Sequence, residues 1–309
     1  MADKKKLTFM ALVRDSGWWV IGEITRRALA EQGFEVEVAW APREQRIARV
    51  ASGEVDLAAN AQYEVTWMYH GIAQYEGKPV TELRAIASVI QPCWVAFGVR
   101  YETYLTAIEQ IKERKFPLRI YTPHARFGGK LSSQGFIADK ILEAYGFTLQ
   151  DIESWGGKAW NGENGGERAI REGNFDAIMY RATPGYGPGG KRWQEATIPH
   201  NMRFLPIAPS ILDMMVEKYR MTRGTMPRLL MRGVDESMPA LYFPYRLIYT
   251  SKHMDDELAF TIAKTLDEHA EYFFETHYPT SYNPRLAWRT SIPLHPGAER
   301  YYRDRGYID

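Results

Sequence analysis

Arg181 is the residue whose type and place in the 309-residue chain most directly suggest chemistry. It follows the apolar run DAIMY (Asp176–Tyr180), which reads as a strand, so it is expected to emerge at that strand's carboxyl end, where α/β sheets bind ligands. A guanidinium there either grips a carboxylate with two parallel donors or closes a surface or inter-lobe salt bridge. Arg126 and Lys130, in the segment TPHARFGGKLSSQ, are either further anion contacts or solvated loop cations. Asn60, Gln62 and Tyr63 end and follow an equivalent strand, DLAAN, and can hydrogen-bond polar ligand atoms. Two strand-to-helix loops, Asp15 to Trp19 and Arg126 to Gln134, would present helix N-termini. Such termini favour a bound carboxylate by about 0.3–1 kcal/mol when exposed and up to about 2 kcal/mol when partly buried. On this reading Asp15, Ser16, Gly17, Ser132, Ser133 and Gln134 line the site; the alternative is that the serines are simple N-caps, and a cap hydroxyl can serve both ends. Trp18, Trp19 and Trp160 fall in loops expected to face the site, as walls for a flat ligand or as ordinary core.

Catalytic patterns are missing. The seven histidines are dispersed, and HExxH, GxSxG and CxxC do not occur, so no metal and no cofactor is expected. His124, beside Arg126, is a candidate general base, a ligand hydrogen-bonder or a plain loop histidine. Cys93, the single cysteine, sits in CWVAFGV and reads as a small buried side chain. ATPGYGPGGKR (Ala182–Arg192) reads as a loop, since it meets neither GxxxxGK[ST] nor GxGxxG. With 39 basic against 38 acidic residues, a nucleic-acid or membrane-surface role lacks electrostatic support. No run approaches the roughly 18 apolar residues of a membrane span.

The positioning elements come in two copies. A helix-like stretch from Ser16 to Glu31 ends at Gly33 and leads into the alternating FEVEV; from Ser133 a second helix stops at Gly146 and leads into a strand-like run ending at Trp155. Each copy adds a helix and a turn of form Gly, two residues, Asp, apolar: Gly53 with Asp56, and Gly173 with Asp176. The two aspartates are expected to accept turn N–H groups. Alternating β and α segments in two copies imply an α/β fold of two lobes, a size that suits 309 residues. Ser88–Arg100 and Pro239–Ser251 read as the passages between lobes, and Pro92 and Pro244 within them suit edge or hinge strands.

The C-terminal SIPLHPGAERYYRDRGYID (Ser291–Asp309) closely resembles the ending of the TAXI family, the solute receptors of tripartite ATP-independent periplasmic (TRAP) transporters. ASGEVDLAANAQYE, ILEAYG, REGNFDAIMY, RFLPIAPSILDMMVEKY and LIYTSKHMDDELAFTIAKTL resemble family segments in the family's order. The resemblance implies a type II periplasmic-binding-protein fold, with two α/β lobes joined by hinge strands around a ligand cleft. Residues 1–92 and 241–309 would form lobe one and 93–240 lobe two. His295, inside the final motif, is expected to pack. Two loops depart from the family pattern: VRDSGWW keeps only Gly17 of a usual glycine-rich run, and TPHARFGGKLSSQ adds His124, Arg126 and Lys130.

The resulting expectation is a monomeric solute-binding protein, not an enzyme. It captures a small organic anion, a carboxylate that is aromatic or an amino or keto acid, and delivers it to TRAP-type membrane subunits without inserting in the membrane. The alternative is a cytoplasmic lyase or ligand sensor on the same fold. The resemblance implies the periplasm; the chain as numbered shows no signal peptide, which points to the cytoplasm if Met1 is native.

Overall fold

The computed structural model describes residues 5–11, 16–41, 43–123, 126–127, 130–161, 164–185, 188–276 and 280–309. Two compact units are present, Met1–Pro92 with Phe243–Asp309 (unit one) and Cys93–Tyr242 (unit two). The first strands are β1 (Lys6–Ala11), β2 (Glu35–Trp40), β3 (Leu57–Ala61), β4 (Leu83–Ile90), β5 (Trp94–Arg100), β6 (Arg119–Tyr121) and β7 (Arg126–Phe127). They are followed by β8 (Lys130–Leu131), β9 (Lys158–Trp160), β10 (Ala177–Ala182), β11 (Met202–Phe204), β12 (Arg223–Met226), β13 (Met238–Leu241) and β14 (Tyr245–Ser251). The first six helices are α1 (Gly17–Glu31), α2 (Arg43–Ala51), α3 (Gln62–His70), α4 (Glu109–Glu113), α5 (Ser133–Ala144) and α6 (Leu149–Ser154). The others are α7 (Gly166–Arg171), α8 (Pro188–Thr197), α9 (Pro209–Tyr219), α10 (Asp256–Glu268), α11 (Glu271–Thr276) and α12 (Pro296–Asp304).

Each unit is built on a five-stranded sheet. Unit one has the order β2-β1-β3-β14-β4 and unit two the order β9-β6-β10-β5-β11. Three strands run parallel in each, and the fourth position is taken by an antiparallel strand, β14 or β5, from the other end of the unit's sequence. This matched order is the type II arrangement that the resemblance implies. Separate apolar cores form on Phe9, Ile21, Ile86, Ile262 and Tyr302 in unit one and on Ile178, Phe175, Trp193 and Phe204 in unit two.

One carboxylate sets the parallel register in each unit. Asp56, just before β3, accepts the backbone N–H of Thr8 in β1 at 2.7 Å; Asp176, just before β10, accepts that of Arg119 in β6 at 2.8 Å and also binds the Arg119 guanidinium at 2.6 and 3.0 Å. Neither accepts from its own turn, as the sequence suggested; both clamp the neighbouring strand. The turns themselves form as expected, with Gly33, Gly53, Gly146 and Gly173 all at φ between +72° and +82°, where a side chain is strained.

Four sequence readings need correction. The run ending at Trp155 is helix α6, because Thr148 and Asp151 form a capping box that starts a helix. The strand counterpart of Trp40 is therefore Trp160, at the end of β9. Trp160 lies 120 residues on, the interval that also separates Gly53 from Gly173 and Asp56 from Asp176. The two runs read as single strands are each broken at their proline: Pro92 lies between the edge strand β4 and the interior strand β5, and Pro244 between β13 and the interior strand β14, at the joins of the two units, where no ladder donor is lost. Finally, the glycine-rich segment is helical from Pro188. At Gly190 a Cβ would lie 2.0 Å from the Gly185 carbonyl oxygen, so the glycine permits close packing.

The C-terminal motif completes unit one. β4 is an edge strand, and residues after α11 cover it: Ala85 N–H donates to Pro293 at 2.9 Å, and His295 N–H to Ala85 at 2.8 Å. A bulge in the β4–β14 pairing leaves Ile86 without a partner in β14, and its carbonyl accepts the Tyr302 hydroxyl at 3.0 Å. His295 is wholly buried and caps α12, its Nδ1 accepting from Gly297 N–H at 3.3 Å. Burial lowers its pKa from the ordinary 6.5 and outweighs the opposing pull of Asp256.

Replacing Asp56 or Asp176 with Ala is expected to cost about 1–2 kcal/mol each in urea unfolding, because a half-buried strand donor loses its partner. Removing the exposed Arg168–Glu172 pair should leave the urea midpoint almost unchanged, because solvent screens it. Because His295 takes a proton more readily unfolded than folded, stability should fall as pH drops below about 6.5. In His295→Asn, which keeps the cap, acid unfolding should be shallower, with His200, also lowered by burial, supplying part of the remaining slope.

Candidate functional site

The carboxyl ends of β6 and β10 in unit two carry a cluster of cationic and phenolic side chains. Tyr121 closes β6, and Tyr180 and Arg181 lie in the last turn of the ladder of β10. Arg181 belongs to the strand and does not follow it, because β10 extends to Ala182 opposite Trp94 of β5. Its carbonyl accepts the Trp193 indole N–H at 2.9 Å, which ties α8 to β10.

Arg192, on α8, brings a second guanidinium. It lies 4.6 Å from the centre of the Tyr180 ring and 4.9 Å from that of Tyr121, and it is ion-paired with Glu167 of α7. The Arg192 side chain is only 15% exposed, so its contacts with the two rings fall toward the desolvated end of the cation–π range, about 2 kcal/mol. The Arg181 guanidinium lies 5.7 Å from the Tyr180 ring, and the two tyrosines meet edge-on at 6.0 Å.

The tyrosines report the local potential. Burial pushes the Tyr121 hydroxyl far above the usual phenol range. For Tyr180 burial acts the same way, but the charges of Arg181 and Arg192 outweigh it and hold the phenol below its ordinary value. Arg192 is held in its charged form against its own burial by Tyr180, Tyr121 and Glu167. A half-buried phenol that ionises more easily than a free one marks a strongly positive environment. Two guanidinium groups and two hydroxyls can hold an anionic oxygen there.

The equivalent place in unit one is polar in another way. Asn60 stands at the position of Tyr180, four residues after the clamping aspartate. It is 2% exposed, donates to Glu64 at 2.8 Å and accepts the Tyr249 hydroxyl at 3.0 Å. Gln62 opens α3 and accepts from Ser88 at 3.3 Å. Tyr63 is buried, with ring centres 5.0 Å from Trp67 and 4.5 Å from Phe243.

The remaining candidates divide between capping and packing. Ser16 caps α1, accepting from Trp19 N–H at 3.3 Å. Ser132 caps α5, accepting from Gly135 N–H at 3.0 Å and donating to the Pro123 carbonyl at 2.7 Å. Ser133 is the first helical residue and is buried, and Gln134 follows it half-buried. Gly17 packs on Gln91, whose amide would lie 2.9 Å from an added Cβ. Trp18 is 8% exposed within the unit-one core, with the Arg246 guanidinium 5.7 Å from its ring. Trp160 is half-buried against the unit-two core, with the Lys158 ammonium 5.0 Å from its ring. Asp15 and His124 lie outside the described residues, as do the side chains of Arg126 and Lys130; the backbone there forms the β7–β8 hairpin. Among the described residues no cluster of His, Cys, Asp or Glu is arranged to hold a metal ion, and no helix is long and apolar enough to cross a membrane.

Sequence reasoning missed Arg192, Tyr121 and Tyr180. The available signal was the 120-residue interval, which puts Tyr180 in register with Asn60; Arg192 lay concealed in a segment read as loop.

Residues 18–306 match the NMT1-like family. Among solved structures, XAC2383 from Xanthomonas citri bound to ATP is similar with a TM-score of 0.53 at 10% identity, covering 99% of this chain and 100% of that one. The same protein bound to chloride ion gives 0.50 at 11% identity, covering 97% and 99%. A structure described as a periplasmic transporter gives 0.50 at 9% identity, covering 99% and 96%. Identities this low speak to the shared fold alone.

In an ultraviolet pH titration, one tyrosine is expected to ionise below the ordinary phenol value near 10, and Tyr180→Phe should remove that step. A titration unchanged by Tyr180→Phe would show that the two guanidinium groups do not dominate the site.

Proposed function

Because the chain belongs to the NMT1-like family and has the two-unit α/β fold of periplasmic binding proteins, we propose that it is a solute-binding protein for a small organic anion. The observation that carries this reading is the convergence of Arg181 and Arg192 on Tyr180 at the carboxyl ends of parallel strands. The solute's carboxylate lies on these guanidinium groups, and the partly buried rings of Tyr180 and Trp160 favour an aromatic or otherwise flat body. Asp15, Ser16, Gly17, Trp18, Asn60, Gln62 and Tyr63 of unit one, and Arg126, Ser132, Ser133 and Gln134 of unit two, belong to the wider set that closes around the solute.

The lobes, residues 1–92 with 241–309 and residues 93–240, close on the solute as the chain passes through the segments around Pro92 and Pro244. The loaded monomer then hands the solute to the membrane subunits of a TRAP-type transporter in the periplasm. The C-terminal motif supports the transporter assignment through its resemblance to the TAXI family. Its residues act by finishing unit one, since Tyr302 and His295 are wholly buried there.

A thermal-shift screen of organic acids identifies a solute, because a ligand of the folded state raises the unfolding temperature. With that solute, Arg181→Ala and Arg192→Lys should each weaken binding by more than about tenfold, the lysine keeping the charge but losing the planar donor fork. Small-angle scattering should show a smaller radius of gyration at saturation. Unchanged affinity in both variants would remove the cluster from the site, and an unchanged radius would contradict closure.

A further inference from the structure

Arg46, on α2, is 1% exposed and is among the largest wholly buried side chains of the protein. Its Nε and Nη1 are sealed from solvent, and neither has a hydrogen-bond partner among the described residues. A guanidinium does not give up its proton in a protein, so this burial encloses a full positive charge. Buried charges are otherwise found paired or coordinated, because leaving water is costly for an isolated ion.

The polar groups nearby supply an opposing charge but no hydrogen bond to Nε or Nη1. Arg46 and Glu64 both act electrostatically on the Tyr249 hydroxyl, which places the guanidinium and the carboxylate around the same phenol. Yet Glu64 accepts from Asn60, and Asn60 accepts from Tyr249, so these three side chains are bonded to one another while Arg46 stands beside the chain they make. Its helix adds positive charge. Arg46 is the fourth residue of α2, within the turn whose unpaired N–H groups carry partial positive charge. Glu64 offsets this charge without hydrogen-bonding Nε or Nη1, and a water molecule would supply a hydrogen bond without charge; an anion supplies both there.

We infer that unit one holds a small monovalent anion, a halide or a carboxylate, against the Arg46 guanidinium beside Tyr249 and Asn60. The site lies within unit one and stands whether or not the Arg181–Arg192 cluster of unit two takes a solute.

The test uses the full chain exchanged into HEPES, a bulky sulfonate without a carboxylate, and melted with chloride or acetate added at constant ionic strength. The unfolding temperature of the wild type should rise saturably with at least one of the two, and the rise should shrink by about fivefold or more in Arg46→Met. A response to chloride identifies a free inorganic ion, and a response confined to acetate identifies the carboxylate of an organic ligand. An equal response in wild type and Arg46→Met, or no response to either anion, overturns the inference. Should Arg46→Met not fold, Arg46→Lys takes its place, and the Arg46 Nε–H signal of arginine-labelled wild type must shift with the same saturation as the melt; a signal that stays still overturns it. Because the readout is chloride or acetate at Arg46, failure here is distinguishable from failure of the organic-anion reading, which is decided at Arg181 and Arg192.

Discussion

A carboxylate at the foot of the third strand accepts a backbone N–H from the first, and this happens once in each unit, at Asp56 and at Asp176. Because strand side chains alternate between faces, a slip of one residue would turn every side chain of β3 or β10 to the wrong side. The clamp removes that freedom. It fixes which residue stands four places further on, and those residues, Asn60 and Tyr180, head the polar groups of the two units. The apolar cores, the order of the five strands and the C-terminal cover over β4 are built around the same register.

From that shared frame the units diverge in charge. In unit two the cation is held between ring faces: Arg192 lies over Tyr121 and Tyr180 and is ion-paired with Glu167, so its burial is offset on several sides. The excess of positive charge is felt at Tyr180, where it overrides desolvation. In unit one the cation stands beside an already bonded row, Tyr249, Asn60 and Glu64. An arginine out of water needs a counter-charge in both cases. In unit two much of it is built in, and the remainder favours an anion at the strand ends.

Much of the frame was legible in the chain because it rests on local chemistry. Left-handed glycines, cap serines and the aspartate three residues after a glycine each act within a few residues of themselves, and they recur in both units. Helix α6 was misread because FTLQDIESW offers apolar residues at intervals that suit a short strand, while its capping box depends on a single Thr–Asp pair. The site was less legible for a different reason. Arg46 belongs to REQRIARVA, a charge-rich run that offered no reason to single it out, and its burial comes from β3 and β14 packing on α2. Arg192 follows a glycine-rich stretch whose glycines serve close packing at Gly190, a tertiary fact that composition does not carry.

On the reading proposed above, the positive potential at the strand ends of unit two holds the carboxylate of a solute. A crystal structure of the protein with the organic acid that most raises its unfolding temperature tests this directly. The account predicts a carboxylate oxygen within about 3 Å of a guanidinium nitrogen of Arg181 or Arg192. A solute whose carboxylate touches neither arginine would contradict it.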